Sequence, residues 1–186
     1  SSIVVSKAKA VSSSMQILLC YTKHMDEYKS LSDLLNKSRI AIYATVNEDG
    51  SPHNSPMFFI PSAKLDIIYM GTHPESLHAR NITRTGQAFA VIYGRTSEGL
   101  KGLYFKIENF HEVADDIELV KAVQAHNDAR KKFAKPPIPV EYYKTPNPQR
   151  MYVGDIVEIS KNAMERGKGG YITRDTRHTL EASELI

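Results

Sequence analysis

The residues best suited to chemistry lie where a predicted strand ends at Gly71 and a predicted helix follows at once. Backbone amide groups at a helix start have no partner within the helix and carry partial positive charge, so such a junction is a natural phosphate site. Thr72 and Ser76 add hydroxyl groups, and His78 is able to donate to a phosphate oxygen. These residue types predict a phosphate site. The alternative interpretation is an ordinary capped helix with solvated polar side chains.

Other reactive groups lack the spacing that their chemistry requires. His53, His73 and His78 form neither an HExxH motif nor a tight cluster with carboxylates, so we predict no metal site. Ser55 and Ser76 lack the GxSxG setting of a hydrolase nucleophile. The sequence also lacks GxGxxG and GxxxxGK[ST] motifs, which argues against Rossmann and P-loop nucleotide sites. No side chain stands out as a catalytic acid or base.

The elements that must position the phosphate site are mainly strands. Alternation of apolar and polar residues, bounded by turn residues such as Gly50, predicts six strands. Pro56 predicts that the second strand lies at an edge or contains a bulge. The predicted strands are residues 40–46, 53–60, 65–71, 88–93, 103–113 and 151–160.

Three helices complete the pattern, over residues 26–37, from 72 to 84, and 116–131. Thr72 and Glu75 have the spacing of a capping box, which places the start of the second helix at Thr72. In the third helix we expect Ile117, Val120 and Val123 to face inward. Hairpin-connected strands with short helices at their ends predict a mainly β protein, a six-stranded antiparallel β-barrel with peripheral helices.

The chain of 186 residues suits one domain with additions at its ends. We expect a flexible N-terminal tail over residues 1–24, a barrel domain over 25–160, and a C-terminal tail or hairpin over 161–186. The net charge of +3 is too small to favour nucleic acid as a partner, and no apolar run reaches the length of a membrane span. Cys20 is the only cysteine, so no intrachain disulfide forms, and we expect a cytoplasmic protein.

Four segments, in order and with matching gaps, resemble the pyridoxamine 5′-phosphate oxidase-like FMN-binding split-barrel family. They are ATVNEDG at 44–50, PHNSPMFF at 52–59, YMGT at 69–72 and SLH at 76–78. The resemblance extends from about Ile40 to Val113. It implies a split β-barrel that binds FMN and works as a homodimer with two flavins at the subunit interface, where residues after 140 reach the partner's cofactor.

The same resemblance implies which residues bind the cofactor. The second strand would line the flavin ring, and the junction before the second helix would hold the ribityl phosphate, with one further contact from the start of the fifth strand. The implied residues are Asn54, Ser55, Pro56, Met57, Phe58 and Phe59 for the ring, Met70, Gly71, Thr72, Ser76, Leu77 and His78 for the phosphate, and Lys101 for the further contact.

The chain departs from the oxidase itself at three places. Ser76-Leu77-His78 stands where the oxidase has Ser-Arg-Lys, so phosphate affinity rests on His78 and on Arg80. Ile60 replaces the lysine that holds the substrate phosphate, and a late Arg-x-His motif is missing. We therefore expect a divergent relative that does not oxidise pyridoxamine 5′-phosphate.

We expect a flavoprotein, an FMN-dependent oxidoreductase of unknown substrate. Two alternatives stay open. One is a protein that binds or handles haem, with His73 or His78 as the iron ligand. The other is a flavin carrier or sensor without catalytic activity.

Overall fold

The computed structural model describes residues 27–96, 99–170 and 172–186. The predicted tail at 1–24, with Cys20, and the first residue of the predicted 26–37 helix lie outside this part of the chain. The strands are β1 (Glu27–Tyr28), β2 (Ile40–Val46), β3 (Pro52–Phe58), β4 (Ile60–Pro61), β5 (Ile67–Thr72), β6 (Ala88–Thr96), β7 (Gly99–Glu112), β8 (Arg150–Arg166) and β9 (Ile172–Leu180). The helices are α1 (Leu31–Lys37), α2 (Leu77–Thr85) and α3 (Asp116–Lys132), with 3-10 turns at Val140–Tyr143 and Ala182–Glu184.

The strands form one sheet with the order β3-β2-β6-β7-β8-β5-β4, in which every pair along the path is antiparallel. Its two ends, β3 and β4, are separated in the chain only by Phe59. The sheet must therefore curl until its ends meet, which gives a split barrel. The predicted fold class is confirmed.

The barrel interior is apolar and aromatic. The inward residues of β2 (Ala41, Tyr43 and Thr45) are buried, whereas its alternate residues face outward. The Phe59 and Phe105 rings are tilted at 48° to each other within the main core, with their centroids 5.0 Å apart. A second cluster, which includes Val123 and Met151, packs α3 against β8. Together these clusters fix the barrel and the helix beside it as one packed unit.

All three helix predictions were wrong in detail. The first helix was predicted from residue 26, but residues 27–28 form β1 and α1 begins at Leu31 after its N-cap Ser30. Thr72 is the last residue of β5, paired with Arg150 of β8, and α2 begins at Leu77 with Ser76 as its N-cap. The capping box of Thr72 and Glu75 therefore does not form, because the sheet keeps Thr72. In α3, Ile117 is 69% exposed and Val120 is exposed too.

The buried stripe of α3 consists of Leu119, Ala122, Val123 and His126, so Val123 alone of the three expected residues faces inward.

Beyond residue 160, β8 continues to Arg166 and pairs with β9 as an antiparallel hairpin. β9 lies on the side of β8 opposite to β7, and β8 itself has no break at residue 160. The division of the chain into a barrel domain and a C-terminal region remains a prediction.

Candidate functional site

The candidate site is the junction between β5 and α2, which a tight turn holds in place. The Ser76 amide donates to the His73 carbonyl over 3.0 Å, and the Glu75 amide donates to His73 Nδ1 over 3.1 Å. The chain therefore reverses within residues 73–76, and the first turn of α2 comes back beside the end of β5.

Three side chains meet in this turn and form what we call the Ser76 cluster: Thr72, Ser76 and His78. His78 Nε2 lies 2.7 Å from Thr72 Oγ1 and 3.0 Å from Ser76 Oγ, and the two hydroxyl oxygens are 3.3 Å apart. Both hydroxyls can donate or accept, and the imidazole does either according to its tautomer. The cluster is a compact set of neutral hydrogen-bonding groups that can adjust to a ligand's oxygen atoms.

The start of α2 is open to an external acceptor. The side chain of its N-cap Ser76 accepts from no backbone amide of the helix, and the first turn contains no acidic residue. In the described part of the chain, no side chain accepts from the amides of Leu77, His78 or Ala79. These amides and the helix dipole favour an anion at this end.

The pKa of His78 is lowered, which favours its neutral imidazole. Burial and the charge of nearby His53 both lower its pKa from the ordinary value. His53 lies on β3, and its Nε2 is 2.9 Å from Ser55 Oγ. The start of β3 thus faces the Ser76 cluster, and His78 contributes a hydrogen bond there rather than a full charge.

Asn81 anchors α2 to the rest of the barrel. Its buried amide nitrogen donates to Thr45 Oγ1 over 3.1 Å and to Asn47 Oδ1 over 2.8 Å. Arg84 donates to the Val46 carbonyl from the next turn of the helix. These contacts fix the start of α2 relative to β2 and β3. No local sequence pattern predicts these contacts, because they join residues more than thirty positions apart.

A buried polar pair supports β5 from behind. The Tyr143 hydroxyl lies 2.8 Å from His126 Nδ1, and a β-carbon at Gly71 would lie 2.9 Å from that hydroxyl. Gly71 is therefore required for close packing rather than for an unusual backbone angle. Burial, aided by the charge of Arg130, lowers the pKa of His126 to about 4. Neither Tyr143 nor His126 was predicted to support the site.

The residues of β3 implied by the resemblance divide between two faces. Asn54, Pro56 and Phe58 are exposed on the outer face. Ser55 and Met57 are half-buried on the inner face, and Met57 packs against the core.

The remaining predicted residues differ in how close they lie to the cluster. Phe59 and Met70 are buried in the core, and Leu77 is exposed at the helix start. Lys101 pairs with Gly94, level with the start of β2, whereas His53 pairs with Thr45 near the end of β2. This separation is about six residues, or about 20 Å along the strands. The fold therefore does not bring Lys101 to the Ser76 cluster within one chain.

Two stretches of strand backbone near the site lack a ladder partner on one side. Among the described strands, β3 pairs only with β2. On its β4 side, β5 is paired only at Ile68 and Tyr69, which leaves residues 70–72 open. Backbone amides and carbonyls at these edges can hydrogen-bond to a flat polar ring.

The residues that the structure describes contain neither a metal-binding cluster of side chains nor a helix that could cross a membrane. No group of three or more His, Cys, Asp or Glu side chains is placed to hold a metal ion. No helix within residues 27–96, 99–170 and 172–186 has both the length and the apolar character to cross a bilayer.

Residues 29–159 match the family model described as pyridoxamine 5′-phosphate oxidase. No curated protein matches the sequence significantly.

Solved structures with similar folds carry several different names. A putative 5-nitroimidazole antibiotic resistance protein from Bacteroides thetaiotaomicron has a TM-score of 0.56 at 12% identity, over 70% of this chain and 80% of its own. A heme binding protein from Mycobacterium smegmatis has a TM-score of 0.55 at 19% identity, over 82% of this chain and 59% of its own. A protein from Clostridium acetobutylicum related to general stress protein 26, of the pyridoxinephosphate oxidase family, has a TM-score of 0.54 at 12% identity, over 83% and 93%. At these identities the likeness concerns the fold alone.

Proposed function

The chain belongs to the pyridoxamine 5′-phosphate oxidase family, and from that premise we propose that it binds FMN and works, as a homodimer, as a flavin-dependent oxidoreductase. The observation that carries the proposal is the open start of α2, where two hydroxyls, an imidazole and unpaired amides converge. These groups suit a phosphate dianion because they present several donors and no acid.

The two open strand edges suit the flavin ring, which needs donors and acceptors along its polar rim. The backbone of residues 54–58 and that of residues 70–72 offer both kinds of group. When bound, the flavin supplies the redox chemistry, and the chain contributes binding, orientation and exclusion of water. No described side chain near the cluster has the character of a strong acid or base, so we assign no catalytic residue.

The test is FMN affinity measured by quenching of flavin fluorescence. Ser76→Ala combined with His78→Ala removes two donors, and we expect FMN binding to weaken by about 1–3 kcal/mol. Ser183→Ala with His111→Ala is a matched control, because it removes the same residue types from exposed positions elsewhere. Equal affinity of both double variants and the parent protein would show that the phosphate lies elsewhere.

Pyridoxamine 5′-phosphate is not the substrate we propose. Ile60 stands where the oxidase has its lysine, and this side chain is 3% exposed within the core. The aliphatic side chain of Ile60 cannot form the ion pair that a lysine at this place would give the substrate phosphate. A kcat/KM for pyridoxal phosphate formation above about 10⁴ M⁻¹s⁻¹ would contradict this expectation.

The homodimer part of the proposal rests on an apolar face of the sheet that is exposed to solvent in the single chain. We call it the outer face: residues 40, 42, 44 and 46 of β2, 52, 56 and 58 of β3, and 89, 91 and 93 of β6, which the register places on one side of the sheet. Ile40, Val46, Phe58 and Tyr93 are each 47–65% exposed. Monomers seldom expose a contiguous apolar area of this kind, so we propose that a second copy covers it.

Sedimentation of charged variants tests the dimer. Val46→Lys places a charge on the outer face without opening a cavity, and we expect it to produce monomers at micromolar concentration. Ile117→Lys is the control, since Ile117 is exposed on α3 and does not belong to the three strands of this face. A parent protein that sediments as a flavin-loaded monomer would exclude the dimer.

Haem handling is the second candidate, favoured by the fold shared with the heme binding protein from Mycobacterium smegmatis. His73 is its best placed ligand, because its Nδ1 accepts from Glu75 and leaves Nε2 for iron. The visible spectrum of the purified protein separates the candidates. Flavin absorbs at about 375 and 450 nm, whereas haem has one intense band at about 400 nm.

A flavin carrier or sensor is distinguished from an enzyme by a further assay. An oxidoreductase should bleach its flavin band with reduced nicotinamide and recover it with an acceptor, in repeated turnovers. A carrier should bind FMN and show no such turnover.

A further inference from the structure

We propose that Glu112 and Arg150 form a positioning pair for the phosphate site: together they fix the end of β5 relative to α2, and the Ser76 cluster depends on that distance. Arg150 Nε lies 3.5 Å from Glu112 Oε1. Glu112 is the last residue of β7 and Arg150 the first of β8, so neither belongs to the cluster itself. The inference rests on the proposed function, because it concerns the phosphate of the cofactor.

The end of β5 needs support because it is paired on one side only. Among the described strands, residues 70–72 have no ladder partner on the β4 side and depend on β8. Thr72 and Arg150 form the last pair of the ladder between β5 and β8. Terminal pairs of a ladder fray unless other contacts hold them. Fraying here would move the Thr72 hydroxyl away from His78, its partner in the cluster.

Arg150 holds this terminal pair in place. Its Nη1 donates to the carbonyls of Asn147 and Gln149, and its Nη2 donates to Thr145 Oγ1 over 3.1 Å. With Nε beside Glu112, the guanidinium joins the segment that leads into β8 to the end of β7. All three nitrogens are engaged within the chain. Arg150 therefore acts as a clamp on the strand ends rather than as a cation that meets the phosphate.

Glu112 carries the connection to α2 through a buried tyrosine. The Tyr152 hydroxyl donates to Glu112 Oε2 over 3.2 Å, and Thr83 of α2 is a second side-chain partner of this hydroxyl. Burial, together with the charge of Glu112, raises the pKa of Tyr152 to about 12, so the hydroxyl keeps its proton and remains a donor. Both carboxylate oxygens of Glu112 are thus used, one for Arg150 and one for Tyr152.

The connection through Glu112 complements the anchor on the other side of α2. Asn81 and Arg84 attach the helix to β2 and to the turn that follows it. Thr83 meets β8 through Tyr152, and Tyr152 meets β7 through Glu112. The helix that carries Ser76 and the strand that carries Thr72 are therefore joined through the same carboxylate. A change at Glu112 would release both parts of the cluster at once.

A positioning role and a simple charge effect predict opposite results at Glu112. If only the net charge near the phosphate mattered, removal of this carboxylate would strengthen FMN binding. If Glu112 positions Arg150 and Tyr152, its removal weakens FMN binding although a negative charge has been lost. Riboflavin lacks the phosphate, so its affinity should not change in the second case.

The first experiment is a fluorescence titration of each variant with FMN and with riboflavin. Glu112→Gln and Tyr152→Phe should each weaken FMN binding by about tenfold and change riboflavin binding less than about twofold. The double variant should bind FMN about as weakly as the weaker single variant, because both changes break the same connection. Glu108→Gln is the matched control, since Glu108 lies on the same strand and pairs with Lys106 over 2.7 Å. It should leave both affinities unchanged.

Two outcomes of this titration would overturn the proposal. One is an unchanged or stronger FMN affinity in Glu112→Gln. The other is an equal loss for FMN and riboflavin, which indicates a general loss of structure rather than a displaced phosphate site.

Inorganic phosphate separates this inference from the proposed function. The amide resonances of Leu77, His78 and Ala79 are followed by NMR as phosphate is added to flavin-free protein. If phosphate shifts these amides in the parent protein and binds more weakly to Glu112→Gln, while FMN does not bind, the positioning pair stands and the flavin proposal falls. If FMN binds the parent and Glu112→Gln alike, the reverse follows. If phosphate leaves these amides of the parent protein unshifted, α2 has no anion to position, and the inference is wrong.

Discussion

The starts of α2 and α3 differ in the groups that compensate their unpaired amides, and the difference shows why the Ser76 cluster is open. At the start of α3, Asp115 accepts from the Glu118 amide over 2.8 Å, and Asp116 and Glu118 fill the first turn. The acidic residues of that helix compensate the partial positive charge at its own N-terminus. At the start of α2, Ser76 turns instead toward Thr72 and His78, and the first turn of the helix contains no acidic residue. An external anion can therefore replace the missing cap at α2 and has no place at α3.

The largest expected effect comes from closing the α2 start with the chain's own charge. Ser76→Asp supplies a carboxylate cap and repels a phosphate from the same amides. We expect FMN affinity to fall by more than about a hundredfold, or about 3 kcal/mol, while the flavin-free protein gains about 0.5–1 kcal/mol of stability. Fluorescence titration and chemical denaturation measure the two effects.

Ser30→Asp is the matched control, because Ser30 is the N-cap of α1 and accepts from the Asp33 amide over 3.1 Å. It should leave FMN affinity unchanged. A parent-like affinity in Ser76→Asp would mean that α2 does not hold the phosphate, and the contrast between the two helix starts would lose its functional meaning.

The sequence predicted the Ser76 cluster, because the residues of this cluster are close to one another in the chain. Thr72, Ser76 and His78 lie within seven residues, so a turn was enough to bring them together. The start of α2 was misplaced because Thr72 and Glu75 also fit a capping box, and only the pairing of Thr72 with Arg150 decides between strand and helix. Local patterns cannot reveal that pairing, since its partner lies far along the chain.

The rotation of α3 about its own axis was not predicted, because the apolar pattern of the helix left it ambiguous. Ile117 and Val120 form one possible stripe with Val123, yet the helix buries the stripe that contains Leu119 and His126. Packing against β5 and β8 selects that stripe, and only this rotation places His126 against Tyr143 behind β5.

The next effect concerns stability at low pH and separates His126 of α3 from His78 of α2. The pKa of His126 is lowered to about 4 by burial, so the unfolded chain binds a proton that the folded chain excludes. The stability from neutral His126 is complete above about pH 6.5 and is lost as the pH falls toward 4. We expect about 2 kcal/mol to be lost between pH 7 and pH 5. Urea denaturation at several pH values measures the loss.

His126→Gln is the control for this prediction, because glutamine keeps a polar group near Tyr143 and does not titrate. Its stability should be lower at pH 7 and should depend less on pH than that of the parent protein. The remaining dependence includes His78, whose pKa is lowered in the same direction. A slope as steep as that of the parent would show that His126 is not the group whose protonation unfolds the chain.

The smallest effect, the response to salt, tests whether the start of α2 binds its anion by contact rather than by long-range charge. Raising sodium chloride from about 50 to about 500 mM shortens the screening length from about 14 to about 4 Å. The amides and hydroxyls of the Ser76 cluster act only at contact, and ions do not screen contact hydrogen bonds effectively, so FMN affinity should fall less than about threefold. Sodium sulfate at equal ionic strength adds a check, because sulfate competes for the anion site and should act more strongly than chloride. A fall of about tenfold or more in sodium chloride would mean that long-range charge governs the site, and the difference between the two helix starts would then not explain where the phosphate binds.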